Sequence, residues 1–302
     1  MQALRKGEVD VLGGLTPAQY EAVGSDPQIT RNDGRSSRFA ELGFNAGAAK
    51  ADGTAIGNGH PALKDVRVRQ AIDRAIDRSV LVDRVLDGHG DVGVGYLPTA
   101  FTPWGWKPAA GTLRTFDPAA ANRMLDDAGY QRGEDGVRRM PGGGKPLAFD
   151  LLVPQTRAHY QQSATYLTSW LAAIGIEVEL LPMSDSDKSA RISAGRYDMF
   201  LGGWIIDADP DFLLSVQTCD SRPVGDDVGT TDTFACNKDY DALYQQQSAQ
   251  MDRTQRAQTV QQMQQMLYND ANLLTLYYPA TLEAYRSDRF APLARRPAAP
   301  AA

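Results

Sequence analysis

Three carboxylates crowd one short stretch, Asp207-Ala208-Asp209-Pro210-Asp211, just after the apolar run Tyr197-Asp198-Met199-Phe200-Leu201-Gly202-Gly203-Trp204. A strand that breaks into an aromatic and then into acids and a proline reads as the mouth of a site. A lone carboxylate beside an indole suits an ammonium group, because an ionised acceptor strengthens each N–H bond it receives. Paired carboxylates about 5 to 10 Å apart could instead cleave a glycoside, provided one pKa is raised. Nothing around this loop supplies the apolar pocket such a shift requires. Asp209 and Asp211 fit the turn and cap positions of an Asp-Pro-Asp segment, with a helix starting at Phe212. Asp207 remains as the candidate ammonium ligand, with Trp204 beside it.

Arg157 is the natural counterpart. It follows the run ending at Val153-Pro154, and a guanidinium fork matches a carboxylate with two parallel donors. Arg157 and Asp207 together could hold a zwitterion, and a free peptide presents both poles at its two ends.

Other chemistries find no support. His60, His89 and His159 are scattered, without a His-Glu-x-x-His or a Cys/His cluster, so no metal site and no cofactor are expected. Gly88-His89-Gly90-Asp91-Val92-Gly93 has dinucleotide spacing but follows a helical pattern rather than a strand. Gly142-Gly143-Gly144-Lys145 precedes Pro146 rather than Ser or Thr and reads as a hairpin-like turn. The net charge of −6 argues against nucleic acid as a partner. No apolar run approaches the roughly 18 residues of a membrane span, and the first twenty residues lack a signal-peptide pattern. Cys219 and Cys236 flank a Gly/Asp/Thr-rich stretch; they form either a bridge or two buried free thiols.

The elements that must position these residues read as α/β. Residues 65–86 carry two amphipathic helical segments, the second capped by Asp77. Asp117-Pro118 opens a helix that Gly129 closes. Leu147, Phe149, Leu151 and Val153 alternate on one face of a strand. A helix over 159–174, a strand over 176–181, a short helix over 184–194 and a strand over 197–204 complete a β-α-β-α-β order. Such strands pair in parallel, so their carboxyl ends share one edge, where open α/β sheets bind ligands. Residues 89–116 form a long loop, and one of its Trp104 and Trp106 is expected at the cleft wall. The Gln-rich stretch 244–267 reads as one amphipathic surface helix whose apolar face, Val260, Met263, Met266 and Leu267, is expected to pack on the core rather than line a partner groove.

An ordered set of phrases resembles the bacterial extracellular solute-binding proteins of family 5, the peptide- and nickel-binding components of ABC importers. The set is Pro61-Ala62-Leu63-Lys64-Asp65-Val66-Arg67-Val68-Arg69-Gln70-Ala71-Ile72, then Phe116-Asp117-Pro118, Ala128-Gly129-Tyr130, Ile174-Gly175-Ile176-Glu177-Val178, Tyr197-Asp198-Met199 and Gly203-Trp204. The resemblance runs from about residue 3 to residue 290. It implies a type II periplasmic-binding-protein lobe, with a mixed sheet and flanking helices, from an incomplete clamshell. Residues 1–45 would be a remnant of the first lobe and the crossover, 46–280 the second lobe, and 281–302 a return segment ending in a disordered Ala/Pro tail.

The resemblance further implies a non-enzymatic, monomeric, extracytoplasmic protein that holds a short peptide between two lobes for a membrane permease. The family's amino-terminus ligand stands three residues after the tryptophan, here Asp207, and its dipeptide branch places the carboxylate ligand at the position of Arg157. The Asp-Pro that follows arrives one residue early, and the helix after Arg157 begins early. Nickel chelate, glutathione and cell-wall peptide are alternative solutes, and a truncated non-transporting product is the alternative of another class. A lobe alone leaves its ligand in water, so the isolated chain is expected to bind peptide weakly or not at all.

Overall fold

The computed structural model describes residues 1–34 and 38–292; the Ala/Pro-rich tail from residue 293 lies outside the described residues. The chain opens with α1 (Gln2–Lys6), β1 (Val11–Gly13), α2 (Pro17–Val23), β2 (Ile29–Gly34) and β3 (Ala40–Phe44). Next come α3 (Val66–Ala75), α4 (Arg78–Val85), β4 (Gly90–Val92) and α5 (Pro118–Asp127). The alternating segment follows as β5 (Ala148–Pro154), α6 (Ala158–Ala173), β6 (Glu177–Met183), α7 (Asp185–Ser193) and β7 (Met199–Gly202). Last are α8 (Asp211–Ser215), α9 (Lys238–Ala249), α10 (Arg253–Asp270), β8 (Leu273–Pro279) and β9 (Thr281–Arg286).

Local chemistry starts and stops these helices as the sequence predicts. Asp77 accepts from the Ser79 and Val80 amides, and Asp117 accepts from the Ala120 amide with Pro118 in the first turn. Gly129 follows α5 at φ 86°, a conformation that only glycine adopts without strain. Gly142 and Gly143 both have positive φ in the turn that returns Arg139 to pair with Pro146. The Gly88–Gly93 run opens no helix and instead carries the short strand β4.

Among the described residues the strands form two sheets. The larger has the order β4-β8-β3-β7-β5-β6, with β5 parallel to both β6 and β7 and β3 antiparallel to β7 and β8. Leu147, Phe149, Leu151 and Val153 do lie together, packed with Leu42, Phe44, Met199 and Leu201 in the main core. Leu152 and Phe200 face the other way, against Tyr197, Ile192 and Phe234. Burial on both faces is what a parallel sheet requires of a central strand such as β5. Gly43 permits this packing, since a β-carbon there would lie 2.2 Å from the Phe200 ring.

The smaller sheet, β1-β9-β2, is antiparallel and packs Ile29 and Ala284 against Leu4 and Val23 of the first two helices. It therefore joins the two ends of the described chain. β3, which the sequence grouped with residues 1–45, lies in the middle of the larger sheet, so that sheet begins before residue 45.

Two expectations need correction. The strand expected over 197–204 is only β7, because Asp198 turns its carboxylate onto the amides of His60 and Asp150, and Gly203 lies beyond the last β3 pairing at Gly202. The Gln-rich surface helix is two helices, α9 and α10. Asp252 starts the second by accepting from the Gln255 amide. Its apolar face packs on the core as expected: Val260, Met263 and Leu267 are buried with Tyr240, Phe101 and Trp104. Gln264 is buried too, donating to the Trp104 carbonyl at 2.6 Å and accepting from the Leu97 amide at 3.0 Å.

Candidate functional site

The carboxyl ends of β5, β6 and β7 leave the large sheet at one edge. β7 ends at Gly202, and Gly203 then slips past the Phe39 carbonyl, where a β-carbon would come within 1.9 Å. The Phe39 amide bonds to the Trp204 carbonyl at 3.3 Å and Arg38 pairs antiparallel with Ile205, so the chain stays beside the approach to β3 past the end of β7. Trp204 is half-buried, and its indole Nε1–H donates to Asp232 Oδ2 at 2.9 Å. Phe212 packs edge-on against the indole with 6.0 Å between centroids.

Of the three loop carboxylates, two have structural work. Asp209 accepts from both Arg256 guanidinium nitrogens, at 2.6 and 2.7 Å, and from the Asp211 amide at 2.9 Å. Those Arg256 bonds hold its carboxyl below the usual range, the opposite of what a general acid needs. Asp211 accepts from Gln247 at 2.6 Å and from the Tyr244 hydroxyl at 3.1 Å. Asp207 is exposed, follows the buried Ile206, and carries no ion pair or hydrogen bond among the described residues.

Arg157 stands three residues past the end of β5, at the position that begins α6, and is exposed. Its Nε lies 4.0 Å from Asp185, the first residue of α7 after β6. An exposed pair at that distance contributes little, roughly 0 to 1 kcal/mol, so the guanidinium stays available. Asp207 and Arg157 thus leave the same edge from the neighbouring strands β7 and β5.

The two loop tryptophans do not join them. Trp104 is buried, with its Nε1–H directed at the Ala208 carbonyl at 3.3 Å and Arg256 over its ring at 4.9 Å. It supports the 207–211 loop from beneath and has no exposed face for a ligand. Trp106 packs edge-on against Tyr268. Tyr268 lies twelve residues along α10 from Arg256, about 18 Å at 1.5 Å per residue.

Sequence reasoning missed the polar cluster behind Trp204. Glu41 pairs with Gly202 across β3 and β7, so it stands at the same end of the sheet. It is 1% exposed, and its Oε2 has no hydrogen-bond partner among the described residues. Burial, with Asp232 nearby, pushes its carboxyl well above the usual value, against a smaller pull from Lys188. Burial likewise raises Asp232. The available signal was one acid inside an otherwise apolar strand, Phe39-Ala40-Glu41-Leu42-Gly43-Phe44.

Glu41→Met is expected to stabilise the protein at neutral pH by about 1 to 3 kcal/mol, the cost of an unsatisfied buried group. The sign follows from linkage: a carboxyl raised on folding contributes stability below its unfolded value near 4.5, and loses it as pH rises through the folded value. The gap between variant and wild type should therefore widen from pH 4 to pH 8 in urea titrations. Parallel curves would sink this account.

An open mixed sheet presenting a free carboxylate, an indole and a guanidinium at its parallel strand ends has the architecture of one lobe of a type II periplasmic binding protein. The chain belongs to the bacterial extracellular solute-binding proteins, family 5: the model of that family's middle region matches residues 1–223. Di/tripeptide-binding protein 1 of Pseudomonas aeruginosa is 24% identical over 94% of this chain and 48% of its own length. Protein XP55 of Streptomyces lividans is 33% identical over 59% of this chain and 29% of its own. Among solved structures, NikA from Brucella suis in complex with Fe(III)-EDTA superposes with a TM-score of 0.77 at 24% identity, covering 97% of this chain and 56% of that one. AppA from Bacillus subtilis in complex with a nonapeptide gives 0.76 at 22%, covering 96% and 55%. The chain thus spans about half the length of the curated relatives it matches.

Proposed function

We propose that this chain is the cleft-forming lobe of the substrate-binding component of an ABC importer, and that it grips short peptides by their charged ends. The observation that carries this is Asp207, exposed at the strand-end edge and without a partner among the described residues while its neighbours Asp209 and Asp211 are both engaged. Trp204 stands three residues before it, and Arg157 is placed to meet the opposite pole. Relatives named as di/tripeptide- and dipeptide-binding proteins support the peptide class. The whole protein would work as a monomer, without cofactor or catalysis, outside the cytoplasmic membrane, handing its ligand to permease subunits. The bridged Cys219 and Cys236 accord with an oxidising compartment.

NMR titration with Ala-Ala tests this, because shift perturbations read even millimolar binding. Perturbed amides are expected around residues 155–157 and 204–208. N-acetylating the peptide, or Asp207→Asn, should weaken the effect by up to about fivefold, the worth of one exposed ion pair. Perturbation elsewhere, or indifference to acetylation, refutes the assignment. A nickel–histidine complex that perturbs the same edge more strongly would favour a metal chelate, the ligand class named for NikZ from Campylobacter jejuni.

A further inference from the structure

Trp204 is held by an acid that arrives from a distant part of the chain. Its Nε1–H donates to Asp232 Oδ2, and Asp232 is only 7% exposed. The loop that carries Asp232 is closed at its base by the Cys219–Cys236 bridge. It is also bonded internally: the Phe234 amide donates to Thr231 Oγ1 at 2.9 Å, and Thr233 Oγ1 donates to Gln217 Oε1 at 3.2 Å. The same Gln217 lies 3.5 Å from the second Asp232 oxygen through its Nε2, and the Tyr197 hydroxyl donates to the Asp232 carbonyl. The acid therefore has little freedom of its own. An indole with one end tied to such an acceptor, packed against Phe212 and the core that holds Leu213 and Tyr240, keeps a single orientation while part of its surface stays exposed.

A carboxylate is a costly choice for this place, since burial pushes its pKa up. What it supplies is a charge-assisted acceptor, roughly twice as strong as a neutral one. We infer that Asp232 is a positioning residue of the ligand cleft, fixing the Trp204 indole as a wall for the guest whose ammonium group pairs with Asp207. The inference rests on the peptide-binding reading above, but its structural half can be measured without any ligand. A ring fixed before binding loses no rotamer freedom when the ligand arrives, which is how preorganisation raises affinity.

The test uses 15N-labelled protein and the indole Nε1–H resonance of Trp204, assigned by its loss in Trp204→Phe. Asp232→Ala should shift and broaden that resonance, and should weaken Ala-Ala binding by about fivefold, the scale of one freed side chain. Asp232→Asn should rescue both in part, because its amide oxygen still accepts but without the charge. In the Trp204→Phe background Asp232→Ala should change affinity no further, since the acid acts only through the indole. Equal weakening in both backgrounds, or an indole resonance indifferent to Asp232→Ala, overturns the inference. If wild type shows no peptide perturbation at all, which a lobe that leaves its ligand in water allows, the indole resonance by itself decides the structural half, and a resonance unchanged in Asp232→Ala overturns it.

Discussion

Asp73→Ala is expected to destabilise the protein by about 3 to 5 kcal/mol, the cost of breaking a buried ion pair by removing one partner. Asp73 lies in the last turn of α3 and is 1% exposed. Arg78 Nη2 reaches one carboxylate oxygen at 2.5 Å and Arg114 Nε bonds the other. Each arginine binds elsewhere as well. Arg78 Nε donates to the Thr275 carbonyl of β8 at 2.8 Å, and Arg114 donates to the Tyr268 carbonyl with its guanidinium over the Tyr268 ring. Removing the carboxylate leaves two guanidinium groups facing each other inside the protein, with α3, α4, α10 and β8 all attached to them.

The pH dependence gives the sharper check. Burial alone would raise the Asp73 pKa, but the two arginines outweigh it and hold it below the usual 3.8. A carboxyl depressed on folding contributes stability above its unfolded value and loses it as pH falls through the folded one. The difference between wild type and Asp73→Ala should therefore be full at pH 7 and shrink in strong acid. Urea midpoints at several pH values measure it, and a loss below about 1 kcal/mol at pH 7 would mean that the arginines find other partners. The Trp204 resonance should not move, because among the described residues no bond of this cluster reaches Trp204 or Asp232.

Much of the scaffold was legible because its signals are local. Caps at Asp77 and Asp117, the stop at Gly129 and the alternation from Leu147 to Val153 each depend on a few adjacent residues, and all appear in the structure. The parallel order of β5, β6 and β7 followed from their helical connections. That Asp207 and Arg157 follow neighbouring parallel strands was legible for the same reason. What escaped depends on contacts distant in sequence. Nothing local says that Asp232 reaches Trp204, that Glu41 shares its surroundings, or that Trp104 is sealed beneath Ala208. The break between α9 and α10 was local but was hidden by glutamines on both sides, and only Asp252 marks it.

Those distant contacts meet in the second large effect, expected from opening the Cys219–Cys236 bridge. The bridge spans a sequence separation of 17. In the chain-entropy model, closing a loop of that size stabilises the folded state by about 3 kcal/mol, and replacing both cysteines with serine should forfeit that much in urea unfolding. The loss has two separable parts. Constraint of the unfolded chain would leave the native site untouched, whereas the loop's own anchors determine whether Asp232 stays on the indole. Tyr197, Thr231 and Gln217 all hold this loop independently of the sulfur atoms, and the Cys219 amide donates to the carboxylate of Asp241 on α9. Without the bridge those bonds and that of the Tyr240 hydroxyl to the Leu214 carbonyl still hold α9 in place, so the freedom gained falls on the stretch between Asp232 and α9, which Cys236 no longer pins four residues after Asp232. Reduction should therefore broaden the Trp204 indole resonance as well as lower the urea midpoint. A lowered midpoint with an unchanged resonance would assign the bridge to the unfolded chain alone and leave Asp232 held by its hydrogen bonds.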